Sequence, residues 1–454
     1  MAAHGGGLMQ ELSIEAILAT LPRDLVDEVL RKTGTASVRH RLLPAPMVVY
    51  LVVLLALYAE ASVRENLRLL LEPLRRRSGR DRAVVATGAA ITKARKRLGA
   101  APFAALFEAV ARPVGTPSLP GCFWKGYRVA GADATTVETQ DTEANRRRFG
   151  RHGNRHGAAG YPQIKAVLLL EVGTRAPLAC AWGGADAPEG TLFDSLQGKL
   201  TKDMLLLADR AYYDFARWQA CARKAGALLW RVRNNLALTP VRRFDDGSCL
   251  AEIRPSWKLV RKGRSGRTER AVVRVIEYKP VFADGTEGER VRLFTTLVDP
   301  DAAPAEELAR LYADRWGLET GFDEWKTHLR GPDRILRSPR PDLVEQELYG
   351  FLLAYYAVRA TMAEAARRET CAPREMSFVH AVRVLRRRLS FPPGGRQGGE
   401  RSVGGDAAGD RGGTGAGAPR TPKRPVPEAP PQPVSVAAAL RLSPPASLHR
   451  PPRP

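Results

Sequence analysis

Acidic side chains are in short supply here. Against 71 lysines and arginines stand 48 aspartates and glutamates, a formal net charge of +23. A surface so poor in acids disfavours cationic ligands and favours a polyanion, either nucleic acid or an anionic membrane face. Lysine is scarce too, with 13 copies, so nearly all the positive charge is arginine. Arginine favours two-pronged contacts to phosphate, although an Arg-, Ala-, Gly- and Pro-rich chain also reflects GC-rich codons. Cysteine is sparse: Cys122, Cys180, Cys221, Cys249 and Cys371 are scattered with no C-x-x-C pair. That spacing argues against a zinc site and a disulfide framework and leaves reduced, mostly core thiols. Long apolar runs are missing as well. Val48 to Ala59 is well short of the roughly 20 residues that cross a bilayer, and it reads as a buried helix. The first residues lack a charged-then-apolar export signal. These absences predict an intracellular, cytoplasmic, nucleoid-associated protein with no membrane partner.

Organisation follows from periodicity. Residues 10 to about 115 carry apolar positions at helical spacing, and we read 1–120 as an all-helical N-terminal domain suited to DNA binding. Within it, Thr87 to Leu98 is a basic helix halted by Gly99. It suits a recognition helix in a DNA groove as well as an ordinary solvated face. From about 126 the texture changes to strands: Tyr127–Asp133, Ile164–Val172, Pro177–Trp182, Met204–Asp209 and Ala227–Val232. Helices fall near 189–200 and 215–225. Leu236 to Val298 reads as β-hairpins with turns at Asp246-Gly247 and Asp284-Gly285. A helical stretch from Tyr312 to Lys326 follows, then an apolar helix from Leu343 to about Ala366. Residues 391–454 are rich in Gly, Pro and Arg without apolar period, which predicts disorder.

The element order predicts an α/β fold. An RNase H-like catalytic core, 121–390, carries a β-rich insertion at about 236–298 and follows the all-helical N-terminal domain. In such a sheet Asp133 ends the first strand, Asp209 ends the fourth, and Glu319 projects from a crossing helix. Three carboxylates brought together offer hard oxygen ligands for two Mg²⁺ ions, with Mn²⁺ as a substitute. Two such ions can activate an attacking oxygen and stabilise a leaving one at a phosphodiester. Taken singly, an Asp at a strand end is more often a turn residue or a helix cap. Asp141, Glu143, Asp203, Asp214 and Asp323 are competing acids nearby.

The helical stretch carries the densest pattern. Tyr312, Glu319 and Lys326 are spaced by seven, with Arg315 three after the tyrosine and four before the glutamate. On one α-helix these four share a face. A salt-bridged solvated face is the ordinary reading of such a pattern, and the two upstream aspartates are what make it informative. The basic segment Arg146–His156 reads as a phosphate-gripping or mobile loop. Trp230, Trp316 and Trp325 are candidates to stack an unpaired base, with at least one expected in the core.

These residues resemble the DDE transposases of the insertion-element-4 type. Tyr312, Arg315, Glu319 and Lys326 match the signature Y-x2-R-x3-E-x6-K in full. Leu206-Leu-Ala-Asp209-Arg210-Ala-Tyr212 is similar to the second-aspartate block, and Gly131-Ala-Asp133-Ala-Thr135 to the first, with Ala134 where Gly is common. The resemblance runs from about residue 10 to 390. It implies metal ligation and catalysis by Asp133, Asp209 and Glu319. It also implies DNA contacts by Tyr312, Arg315, Lys326, Arg210 and Trp316, and cleavage and joining at transposon ends through a hairpin intermediate with a flipped base. The implied partner is double-stranded DNA, as terminal inverted repeats and target, bound by a homodimer in the synaptic complex. From Gly394 the sequence departs from the family and resembles GC-rich DNA read in the wrong frame, which suggests a frameshifted copy. Two other expectations compete: a structure-specific nuclease on the same fold, and a decayed transposase that only binds DNA.

Overall fold

The computed structural model describes residues 14–37, 43–78, 86–151, 153–154, 157–158, 160–281, 285–332, 334–390 and 441–442. Its centre is one mixed sheet. Strands β1 (Tyr127–Glu138), β2 (Gln163–Glu171), β3 (Pro177–Gly184), β4 (Met204–Ala208) and β5 (Ala227–Val232) lie in the order β3-β2-β1-β4-β5. β2 pairs antiparallel with both β1 and β3, and β4 and β5 run parallel to β1. This is the expected RNase H-like arrangement. The insertion does not form a separate sheet. Its strands β6 (Thr239–Arg243), β7 (Cys249–Ile253), β8 (Ala271–Lys279) and β9 (Val291–Thr295) continue the same sheet, because β9 pairs antiparallel with β5. The Asp246-Gly247 turn forms as expected, with Gly247 at φ 80°, where an L side chain would be strained. Asp284 of the second predicted turn lies outside the described residues.

Alternation of side chains assigns the two faces of the sheet. In β4, Leu205 and Leu207 join one apolar cluster while Leu206 and Ala208 join the other, and all five residues of the strand are buried. Helices α8 (Glu189–Leu196), α9 (Phe215–Lys224) and the short α10 (Trp257–Arg261) cover one face. The other face is covered by the C-terminal helices α11 (Ala305–Ala313), α12 (Trp316–Asp323) and α13 (Pro341–Glu369).

Among the described residues six helices precede the sheet: α1 (Ile14–Thr20), α2 (Arg23–Lys32), α3 (Ala45–Leu57), α4 (Val63–Ser78), α5 (Gly88–Leu98) and α6 (Ala101–Val110). Gly99 stops α5 at φ 70°, as the sequence predicts, and Thr87 caps its start by accepting from the Ala90 N–H. The apolar run is a helix, α3, buried on nearly every side because it is apolar on every side. It packs on α13 at Gly350, where a Cβ would lie 2.8 Å from Val52 Cγ1. The expected N-terminal domain is helical, but its core is continuous with that of the catalytic sheet through α13. Arg95, on the helix that the sequence left as either a recognition helix or a solvated basic face, is buried. It donates to Gln346 Oε1 (3.2 Å) and to the Leu343 carbonyl (3.2 Å), while Lys93 and Lys96 are exposed.

Among the described residues no helix is long and apolar enough to cross a membrane. The tail reading from residue 391 lies outside the described residues, apart from Arg441–Leu442, which pairs with the end of β8.

Candidate active site

Each expected acid is delivered by a different element. β1 runs through Asp133 to Glu138, so Asp133 does not end its strand as expected. It sits instead where parallel pairing with β4 stops, at Ala132 opposite Ala208, while antiparallel pairing with β2 holds the rest of β1. Asp209 follows β4 directly. Val129, Leu205 and Leu207 belong to the cluster under α12, so strand parity puts Asp133 and Asp209 on that same side. Gly131 supplies the fit. A Cβ there would lie 2.7 Å from Leu318 Cδ1, so the missing side chain lets α12 press onto β1 and sets Glu319 beside Asp133. The sequence motif contained Gly131, yet only packing reveals this role.

The expected continuous helix from Tyr312 to Lys326 is a correction. The chain makes α11, a tight turn with Arg315 N–H donating to the Tyr312 carbonyl at 3.1 Å, α12, and a π-helical segment Glu324–Leu329. The tight turn arises from three-residue backbone bonding and the π segment from a widened turn. The widened turn draws Glu324 into the core. There it accepts from Arg175 at 2.7 Å and from the Tyr355 hydroxyl at 3.1 Å, and it pairs with Arg359. Sequence reasoning did not single out Glu324, and an acid two residues before Lys326 of the charged signature gave no signal that it is buried.

Arg315 is the hub. It is only 6% exposed. Its guanidinium donates to Asp133 Oδ2 at 3.3 Å and to Glu319 Oε1 at 3.5 Å, and its Nε has no partner among the described residues. Burial works against the Arg315 charge, but Tyr312, Asp133, Asp209 and Glu319 outweigh it and raise its pKa. Burial raises the Asp133 pKa. The Ala134 N–H and Arg315 oppose that shift, and Glu319 and Asp209 add to it. The three acids therefore share one electrostatic neighbourhood with excess negative charge, which a cation relieves.

The remaining signature residues differ in exposure. Tyr312 is buried and its hydroxyl donates to the Ala208 carbonyl at 3.4 Å. Lys326 Nζ donates to Thr135 Oγ1 at 3.1 Å, two residues beyond Asp133 on the same strand face. Burial, with Arg330 adding, lowers the Lys326 pKa. Arg210 and Trp316 are exposed, whereas Trp230 and Trp325 are core. The competing acids have other partners. Asp214 caps α9, Asp203 meets Arg128, and Asp323 meets His328. Asp141 is held down to about 2 by hydrogen bonds from Arg146 and Arg151. The basic segment is only partly a loop: Arg146, Arg147 and Arg148 lie on the helix α7 (Glu143–Phe149), and each pairs with an acid.

Among the described residues no three His, Cys, Asp or Glu side chains form a ready metal cage in this arrangement. The guanidinium of Arg315 stands between two of the acids, in place of a cation. The donor chemistry, a partly buried carboxylate whose raised pKa comes first from burial and then from the neighbouring Glu319 and Asp209, fits a hard divalent ion.

Two family models match the chain. Residues 11–108 match the insertion element 4 transposase N-terminal model and residues 124–357 match the transposase DDE domain, which alone spans slightly more than half of the chain. The chain is similar to the transposase InsG for insertion sequence element IS4 of Escherichia coli strain K12, 28% identical over 372 residues, or 81% of each chain. It also aligns with the cryo-EM structure of the piggyBac transposase synaptic complex with hairpin DNA, at 11% identity and a TM-score of 0.39 over 85% of this chain and 83% of that one. That superposition is too loose to carry an argument.

Proposed function

We propose, for a chain that belongs to the insertion-element-4 family of DDE transposases and is thus a DNA transposase, that Asp133, Asp209 and Glu319 are its catalytic residues. Domains of this family work with divalent metal ions. We assign that role here to two Mg²⁺ ions, with Mn²⁺ as a substitute, held by these three acids. The bound ions supply an activated attacking oxygen and charge relief at the leaving oxygen of a phosphodiester. The single observation that carries this reading is the convergence of the three acids around one buried arginine, from elements separated by 186 residues between Asp133 and Glu319.

The protein's own groups do the rest. Arg315 holds Asp133 and Glu319 together by neutralising them and is placed to meet a phosphate that enters beside them. Lys326, kept close to the acids by Thr135, adds positive charge where a DNA backbone would lie. Arg210 and Trp316 reach solvent next to the site and serve as a phosphate contact and a stacking surface. Tyr312 stiffens the joint between α11 and β4 through its bond to Ala208. The partner is double-stranded DNA, terminal inverted repeats and target, engaged by a homodimer in a synaptic complex of the cytoplasmic nucleoid.

Substituting Asp133→Ala, Asp209→Ala or Glu319→Ala tests the assignment. Each should abolish Mg²⁺-dependent nicking and strand transfer on an end-bearing duplex while DNA binding persists, because binding rests on cationic residues elsewhere. A variant that cuts at the unaltered rate removes that residue from the ligand set, and Asp323→Ala is then the first replacement to test for Glu319.

A further inference from the structure

We propose that the arginine-lined cavity at the joint between the catalytic sheet and the β insertion seats a DNA backbone phosphate, and that Glu289 fills this seat until DNA displaces it. The proposal rests on the transposase reading and adds a subsite to it. The cavity has a volume of about 410 Å³ and is lined by Arg210, Arg231, Arg233, Asn234, Asn235 and Glu289. Its position is set by topology. Arg210 lies one residue beyond Asp209 at the carboxyl end of β4, and Arg231 to Asn235 form the carboxyl end of the parallel neighbour β5. Ligands of open α/β sheets collect beyond the carboxyl ends of adjacent parallel strands. A phosphate seated here lies beside the acids on the duplex they would cut.

The cavity's charge is unbalanced. Three guanidiniums face one carboxylate. Glu289 Oε2 reaches Arg231 Nη2 at 2.9 Å, and Glu289 Oε1 reaches Arg210 Nη1 at 3.7 Å. The two oxygens of one carboxylate thus bridge two arginines, as two oxygens of one phosphate do. Arg233 is exposed and has no acidic partner among the described residues. Asn234 is tied to the Arg290 carbonyl at 2.9 Å, which fixes the wall that carries Arg233 and Asn235. Glu289 itself is largely exposed, so its two bridges are weak and an anion of higher charge replaces it at little cost. The Glu289 carboxylate therefore acts as a competitive occupant of an anion site.

The experiment uses the full chain, a labelled 30-bp duplex and fluorescence anisotropy across a salt series. Glu289→Gln keeps the side-chain size and removes the competing charge, and it should tighten binding roughly two- to fivefold at low salt, the range expected for releasing exposed ion pairs. Arg233→Ala disturbs no internal partner and should lower the slope of log K against log salt by about one unit, the signature of one lost phosphate contact. Glu364→Gln is the control. It removes the same charge from a residue paired with Arg367 and Arg368 on α13. Should Glu364→Gln tighten binding as much as Glu289→Gln does, the effect is net charge and the seat is overturned. An unchanged affinity for Glu289→Gln or an unchanged slope for Arg233→Ala overturns it as well. Nicking by the unaltered chain is read in parallel. Nicking without a Glu289 effect refutes the seat alone, and a Glu289 effect without nicking refutes the catalytic assignment alone.

Discussion

Glu324→Ala should unfold the protein more readily than any other single change at an acid near the site. The carboxylate is 6% exposed and lies between Arg175, Arg359 and the Tyr355 hydroxyl. Arg359 is almost fully enclosed, and burial drives its pKa well below the ordinary arginine value, with Arg175 adding to the shift. Deleting the only acid that meets both guanidiniums among the described residues leaves the buried Arg359 charge facing the part-buried Arg175. Loss of one partner of a buried pair costs about 3–5 kcal/mol. With an unfolding entropy of about 2 cal/mol/K per residue over the roughly 360 described residues, that corresponds to a fall in melting temperature of about 4–7 °C. The assay is urea unfolding followed by tryptophan fluorescence, since Trp325 is buried one residue away. The double variant Glu324→Ala/Arg359→Met should recover part of the loss, because it removes one stranded charge together with its partner. A loss below about 1 kcal/mol for Glu324→Ala, or strict additivity in the double variant, would refute the claim that this network holds the π segment and thereby the phase of Lys326.

Other consequences can be measured directly. Gly350→Ala forces α3 and α13 apart, since the new methyl meets Val52 Cγ1 at 2.8 Å and the Val52 carbonyl at 3.1 Å, and should cost about 1–3 kcal/mol in urea unfolding. Burial pushes the Cys122 and Cys221 thiols up to about 12, so at pH 8 the native chain should be alkylated at Cys371 well before either of them, read by mass spectrometry. Because these folded pKa values are raised, the folded chain holds more protons than the unfolded one above the ordinary thiol value. Stability should therefore be fully present below about pH 8.5 and fall as pH rises towards 12, which melting curves across that window will show. Lys326→Ala should weaken duplex binding and lower the salt slope by about one unit, and an unchanged slope would leave Lys326 as a structural partner of Thr135.

The strands, their order and the acids were legible from local sequence. Met204–Ala208 is apolar at every position and only five residues long, which suits a strand buried on both faces. The spacing of Tyr312, Arg315, Glu319 and Lys326 marked the site because helical periodicity brings residues three, four and seven apart onto one side. Gly99 announced the end of α5 through its own backbone preference. All of these are short-range properties, set by a residue and its near neighbours.

What the sequence could not show depends on which distant residue completes a contact. Asp133 lies inside β1 rather than at its end because β2 pairs further along β1 than β4 does. Arg95 and Glu324 look like surface charges in sequence and are buried because α13 brings Gln346, Tyr355 and Arg359 against them. The expected straight helix breaks into a tight turn and a π segment, and the π segment turns Glu324 towards Arg175, Tyr355 and Arg359. Arg210 and Glu289 become neighbours only when the β insertion joins the edge of the catalytic sheet. The sequence alone determined the elements and the kind of chemistry, through local conformational preference and residue type. Tertiary structure alone decided which charges are buried, which are paired and which remain free for DNA, because desolvation and pairing are set by side chains tens to hundreds of residues away.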